Sequence, residues 1–253
     1  MSPDSAAHNG NGWALFLDVD GTLLELAETP QGVHVPASLK QLLDEVRWRL
    51  DGALALVSGR SLASLDQLFT PLRFIASGVH GCERRSSNGI VIRPEIDAAK
   101  IAQARNELGA FVLGHEGLLL EDKHYALAVH FRRAPQLQNE VYRVMNEVLV
   151  QLGLAFALQA GKSVLEIRPS AWTKGSSIIS FMHEAPFQGR TPVFIGDDVT
   201  DEDAFAVVNE LQGMSIRVGH VGPTLARHRL GGVSEVLRWL RTVPPVVPPS
   251  SAQ

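Results

Sequence analysis

The stretch Trp13-Ala14-Leu15-Phe16-Leu17-Asp18-Val19-Asp20-Gly21-Thr22 decides the fold. Its opening apolar run does not alternate and stops at an acidic turn. That predicts a parallel strand buried on both faces, ending at a functional edge. Asp18 and Asp20 stand two residues apart and are followed by glycine, so a tight loop can turn both toward one point. There one carboxylate can attack phosphorus while the other handles protons or metal. An acidic turn after a strand is also common without any chemistry, so the stretch needs support from elsewhere in the chain.

Working outward, Leu39, Leu42, Leu43, Val46 and Leu50 recur at helical spacing. Residues 53–57 read as a second buried strand, ended by Ser58-Gly59-Arg60. A helix over 61–69 and a short strand over 74–76 follow. Strand, helix, strand, helix, strand predicts an open parallel α/β sheet of Rossmann-like type. Ligands of such sheets sit beyond the carboxyl ends of the strands, where Asp18 and Ser58 fall. The pattern resumes with a strand over 191–195, then Gly196-Asp197-Asp198, a helix over 202–211, a strand over 215–218 and a helix over 233–241. The middle differs: a helix over 96–111, a hairpin (117–121 and 125–132), a helix over 136–152 and a second hairpin (154–159 and 163–168). This αββαββ order predicts an α+β cap with an antiparallel sheet, inserted into a split core. The expected domains are a core of 13–94 and 170–242 and a cap of 95–169. Arg93-Pro94 and Arg168-Pro169 at the edges suit stiff hinges.

Across 253 residues the formal charge is only −4, with no basic run that would track a nucleic acid. Cys82 is the single cysteine, which excludes an intramolecular disulfide and fits a reducing, cytoplasmic setting. It reads as a small buried hydrophobe. No segment approaches the roughly 20 apolar residues that span a bilayer. Residues 1–12 are polar, lack the pattern of a signal peptide and read as a disordered tail, as does the proline-rich 243–253.

The second acidic cluster is Gly196-Asp197-Asp198-Val199-Thr200-Asp201-Glu202-Asp203. Mg²⁺ is hard, prefers oxygen ligands and keeps several waters, so one or two carboxylates from each cluster suffice. Asp197 and Asp198 precede the helix and are the metal candidates. Asp201, Glu202 and Asp203 are expected to cap the helix or brace the loop. Ser58 can donate to a phosphate oxygen from its strand-end loop. Lys174, in Trp172-Thr173-Lys174-Gly175-Ser176, offers a cation to a phosphoryl group and its attacking carboxylate.

In this order, Asp-x-Asp-x-Thr, Ser-Gly-Arg, Lys-Gly-Ser and Gly-Asp-Asp-x-x-Asp-x-Asp resemble the haloacid dehalogenase superfamily. The resemblance implies that Asp18 is the nucleophile and Asp20 the general acid and base. It implies that Asp18, the Asp20 main-chain carbonyl and Asp197 hold Mg²⁺, with Asp198 near or in the shell. Ser58, Lys174 and Thr22 would bind phosphate. The acid at position 20 gives a route to hydrolysis, which a mutase could also use.

On the cap, Tyr125, Leu127, Val129 and Phe131 alternate with Ala126, Ala128, His130 and Arg132; Leu165 and Ile167 alternate with Lys162, Val164, Glu166 and Arg168. The larger apolar set should pack on the helices, leaving His130, Arg132, Lys162 and Glu166 on an open sheet face. A mix of acceptors and cations suits a polyhydroxylated ligand, and equally a plain solvated face. Glu121-Asp122-Lys123, His130-Phe131-Arg132, Gly161-Lys162 with Glu166-Ile167-Arg168-Pro169, Gly78-Val79-His80-Gly81 and the extended Gly-Asp-Asp motif resemble trehalose-6-phosphate phosphatases. That resemblance implies that Glu121, Lys123, Arg132, Lys162 and Glu166 grip the glucose ring distal to the phosphate. It implies that Arg60 and His80 lie near the entrance between core and cap, that the hinges flex as the cap closes, and that a trehalose-phosphate synthase is a possible functional partner. Phe131 departs from the family's more frequent Tyr. His34, His115, His183, His220 and His228 match no motif. The alternatives are a sucrose-phosphate or mannosyl-3-phosphoglycerate phosphatase, and an inactive module that binds a sugar phosphate.

Overall fold

A computed structural model describes residues 12–26, 34–219 and 222–246. The expectations for 1–11, for 247–253 and for His220 lie outside the described residues, whereas 243–246, expected in the C-terminal tail, are packed: Val243 is buried in the core and the Val246 amide donates to the Arg49 carbonyl at 2.8 Å. The chain divides into two compact units. One is built from the described residues up to Val91 and from Lys174 onward, the other from Ile92 to Thr173. The second unit reaches a few residues further on each side than the expected 95–169.

The first unit contains β1 (Trp13–Leu17), α1 (Ala37–Arg49), β2 (Leu54–Val57), α2 (Leu62–Phe69), β3 (Ile75–Gly78), β4 (Glu83–Arg85) and β5 (Val91–Ile92, at the boundary). After the second unit come α5 (Lys174–Met182), β10 (Thr191–Gly196), α6 (Glu202–Glu210), β11 (Met214–Val218), β12 (His228–Leu230) and α7 (Val233–Arg241). The sheet order is β12-β11-β10-β1-β2-β3-β4-β5. Pairing is parallel from β12 to β3 and antiparallel between β3 and β4.

β1 is buried along its whole length because both faces of the sheet are covered. On one face Trp13 stacks on Trp239 of α7, with ring centroids 5.5 Å apart. On the other, Phe16 stacks on Phe181 of α5 and on Phe187, at 5.9 and 5.2 Å. Fully burying a side chain of this size is worth about 1.5–3 kcal/mol. α2 starts at an N-cap, Ser61, whose hydroxyl accepts from the Ser64 amide at 3.2 Å.

The second unit contains α3 (Ala98–Leu113), β6 (Leu119–Asp122), β7 (Leu127–His130), α4 (Gln138–Leu152), β8 (Phe156–Gly161) and β9 (Val164–Pro169). Its sheet, in the order β6-β7-β9-β8, is antiparallel throughout. The alternation along β7 and β9 sends Leu127, Val129, Leu165 and Ile167 into one core with Ile101 and Leu108 of α3 and Val144 and Val148 of α4. Phe131 joins that core, as its place in the alternation requires.

Two details differ from the sequence reading. Pro169 is not outside the sheet but is the last residue of β9, opposite Phe156, and is buried. The Arg168 guanidinium fastens the segment that follows by donating to the Trp172 carbonyl at 2.7 Å. The short strands β4 and β5 and the three-residue β12 escape a pattern search because so few residues show no period.

Candidate active site

β1 and β10 run in register up to Leu17 opposite Ile195, so the two acidic segments leave the sheet side by side. The Asp18 amide donates to the Ile195 carbonyl at 2.9 Å. From this point the chain builds β2 and β3 to one side and β11 and β12 to the other. The site therefore stands at the topological switch point of the sheet. Two glycines make the close approach of the loops possible. Gly21 has φ +82°, and a Cβ there would lie 2.1 Å from Asp197 Oδ2. A Cβ on Gly196 would lie 2.4 Å from the Asp201 carboxyl carbon.

Lys174, at the start of α5, joins the two loops. Its Nζ donates to Asp18 Oδ1 at 2.7 Å and to Asp201 Oδ1 at 2.6 Å. All three residues are buried. Burial pushes the Asp18 carboxyl well above the usual carboxylate range; Lys174 opposes this, while Asp201 and Asp197 push it further up. Burial alone would lower the Lys174 ammonium, but Asp18 and Asp201 more than reverse that and hold it protonated. Asp197 is pushed up to about 7, mainly by burial and then by Asp201.

Asp18, Asp197 and Asp201 each offer an oxygen within 4.8 Å of the others. Three converging carboxylates against one ammonium leave an excess of negative charge, and the donor set is all oxygen. Both properties fit a hard divalent cation. Asp198, expected at the metal, turns its carboxylate to the Val199 amide at 2.7 Å. Asp201, expected to cap the helix or brace the loop, does close the loop by accepting from the Asp198 amide at 2.9 Å, and it also joins the acidic group. Its place four residues after Asp197 was the available signal. A single turn of helix after the strand brings that position back toward the strand end.

Ser58 is buried at the end of β2, and its hydroxyl accepts from the Arg60 amide at 3.2 Å. Arg60 grips Asp20 with two hydrogen bonds, Nε to Oδ2 and Nη2 to Oδ1, both 2.6 Å. The sequence reading left that partnership unseen and gave Arg60 to the substrate. His80 sits in the left-handed region at φ 52°, and its amide donates to the Ser58 carbonyl at 3.1 Å. Thr22 is fully buried and its hydroxyl has no hydrogen-bond partner among the described residues. An unpaired buried hydroxyl is costly, so this one calls for a partner such as an ordered water or a ligand oxygen.

In the second unit, Glu121, Ala128, Glu166 and Gln159 form one row across the sheet, on the face away from the helices. Glu121 Oε2 lies 2.8 Å from His130 Nε2, and Lys123 Nζ donates to Glu166 Oε2 at 2.8 Å. Ala128 and the neighbouring Ala126 keep the floor of this face low. Arg132 and Lys162 do not stand on strands; both are exposed in the turns that follow β7 and β8.

Residues 16–233 match the family described as Trehalose-phosphatase. The chain belongs to the trehalose-phosphatase family. It is 46% identical over 234 residues to the trehalose-6-phosphate phosphatase of Escherichia coli K12, covering 91% of this chain and 86% of that protein. The C-terminal domain of C. albicans trehalose-6-phosphate phosphatase has the same fold, with a TM-score of 0.79 over 92% of each chain at 23% identity. A haloacid dehalogenase-like hydrolase from B. subtilis shares the fold at a TM-score of 0.64 and 11% identity, covering 91% of this chain and 99% of that one. The α/β architecture expected from the sequence, a mostly parallel sheet and a separate antiparallel one, is thus that of known haloacid dehalogenase folds. Among the described residues no helix is long and apolar enough to cross a membrane.

Proposed function

We propose that the chain hydrolyses trehalose 6-phosphate to trehalose and phosphate, with Mg²⁺ as cofactor and a phosphorylated Asp18 as intermediate. The observation that carries the reading is the buried group at the ends of β1 and β10: Asp18 bound by Lys174, beside Asp197 and Asp201. The partnerless hydroxyl of Thr22 supports a phosphate there. The similarity to the E. coli enzyme supports the choice of sugar.

In this reading an Asp18 oxygen attacks phosphorus, and a new O–P bond forms as the bond from phosphorus to the sugar oxygen breaks. Asp20 gives its proton to the departing sugar oxygen. The same carboxylate then takes a proton from water, whose oxygen attacks the phosphoryl group. The bond to Asp18 breaks and inorganic phosphate leaves. Lys174 balances the charge of Asp18 and of the phosphoryl oxygens, and Ser58 and Thr22 donate hydrogen bonds to those oxygens. Mg²⁺ bound by Asp18, Asp197 and the Asp20 main-chain carbonyl, with Asp198 and Asp201 beside them, would supply further neutralisation of the transferring group. Arg60 and His80 serve the substrate from the loops after β2 and β3, and Arg60 also orients Asp20. Glu121, Lys123, Arg132, Lys162 and Glu166 bind the sugar, carboxylates accepting from hydroxyls and cations donating to them. A trehalose-phosphate synthase is the enzyme whose product this reaction would consume, and a cytoplasmic setting suits the pair.

The test is phosphate release from trehalose 6-phosphate, sucrose 6-phosphate, glucose 6-phosphate and mannosyl phosphoglycerate, with Mg²⁺ and with chelator. Trehalose 6-phosphate should give the highest kcat/KM, and chelator should stop turnover. A faster rate on another member of the panel, or full activity in chelator, would overturn the assignment.

A further inference from the structure

Two of the three converging carboxylates, Asp197 and Asp201, ride on one loop between β10 and α6. That loop is fastened from outside the acidic group by a residue with no part in the chemistry above. Arg217 lies on β11 directly opposite Gly196, the residue at which β10 ends and the loop begins. The residue is buried, at 9% exposure. Nη1 donates to the main-chain carbonyl of Asp198 at 2.8 Å and to Glu202 Oε1 at 3.1 Å. The other oxygen of Glu202 accepts from the Leu225 amide at 2.7 Å, so the carboxylate that aims Arg217 is itself held at both ends.

We propose that Arg217, aimed by Glu202, is a positioning residue that fixes the Asp197–Asp201 loop in the geometry that binds the divalent cation. The inference rests on the metal role assigned to Asp197 in the proposed function. The same Asp198 carbonyl accepts from the Asp201 amide at 3.1 Å, so a donor that fixes this carbonyl also fixes the turn that carries Asp201 beside Asp197. A guanidinium supplies two functions at that carbonyl. Its planar fork gives the hydrogen bond a fixed direction, and its permanent charge strengthens it. Outer residues that orient metal ligands typically change metal affinity by about 10–100-fold when removed.

The experiment measures Mg²⁺ binding to the full chain by calorimetry, in the absence of substrate, for wild type, Arg217→Met, Arg217→Lys and Glu202→Gln. Expected is a Kd for Mg²⁺ raised about 10–100-fold in Arg217→Met. Arg217→Lys should recover part of the loss, and Glu202→Gln should move the Kd a few-fold in the same direction. In steady-state assays the Mg²⁺ activation constant should rise in parallel, with little change in KM for the sugar phosphate at saturating metal. A merely structural role would lower Tm without moving the Mg²⁺ Kd. An unchanged Kd in folded Arg217→Met overturns the inference; if that variant does not fold, an unchanged Kd in Glu202→Gln does so. If wild type itself binds no Mg²⁺ and needs none for turnover, it is the proposed function that fails.

Discussion

Replacing Lys174 by methionine tests the electrostatic reading of the site most directly. The side chain is only 3% exposed and lies 2.7 and 2.6 Å from Asp18 and Asp201, with Asp197 in the same group. Methionine keeps the length and the packing but removes the only ammonium. Breaking a buried ion pair from one side costs about 3–5 kcal/mol, because the remaining charges are left uncompensated. For a domain of this size each kcal/mol moves Tm by about 2–4 °C, so the metal-free variant should melt roughly 6–20 °C below wild type. The carboxylates can escape part of that cost by taking up protons. Asp197 already holds its proton up to about pH 7, and Asp18 is raised as well. Below that range the lysine has less negative charge to balance. The Tm gap should therefore be smallest near pH 5 and widen toward pH 8. The assay is differential scanning calorimetry of both proteins in chelator at the two pH values. A gap below about 2 °C at pH 8, or one independent of pH, would refute the claim that Lys174 balances the acidic group. Phosphate release by the variant should fall at least about 100-fold, as expected when one preorganised charge at a phosphoryl site is lost.

Asp18→Asn should abolish turnover yet leave the metal-free protein at least as stable as wild type, since it removes one of three buried carboxylates; a Tm well below wild type would count against the crowding. The metal-free protein should lose stability as pH rises from about 4 toward 7, because a raised carboxyl pKa means the folded state holds a proton that the unfolded chain has released. Mg²⁺ should restore that stability and release protons when it binds at pH 6, measurable by calorimetry in buffers of different ionisation enthalpy. Glu121→Ala or Glu166→Ala should lower kcat/KM for trehalose 6-phosphate far more than for p-nitrophenyl phosphate, because these side chains help only substrates that reach them. Equal losses on both substrates would remove them from sugar recognition. Gly21→Ala should abolish activity, because its Cβ would lie 2.1 Å from the Asp197 carboxylate at a backbone φ of +82°. Wild-type turnover would show that the two loops need not approach so closely.

The central strands were legible because burial on both faces leaves an unbroken apolar run, as in Trp13–Leu17. The second unit was legible because side-chain direction alternates along a strand, so Leu127, Val129, Leu165 and Ile167 declare their common face. β4, β5 and β12 were not legible: strands of two or three residues are defined by the neighbour they pair with, not by a period of their own. Helix α7 was read residue for residue, since Val233, Val236, Trp239 and Leu240 keep one apolar stripe to its end.

By itself the sequence determined which residue types stand at the ends of which strands, because motif order and apolar runs are local properties of the chain. Tertiary structure alone decided their partnerships. It drew Asp201 into the group with Asp18 and Asp197, bound Arg60 to Asp20 and set Arg217 behind the loop. Those choices depend on distances between segments up to some 180 residues apart, 18 to 197 along the chain. Such distances are fixed only when the register of β1 against β10, and of β10 against β11, brings the loops together.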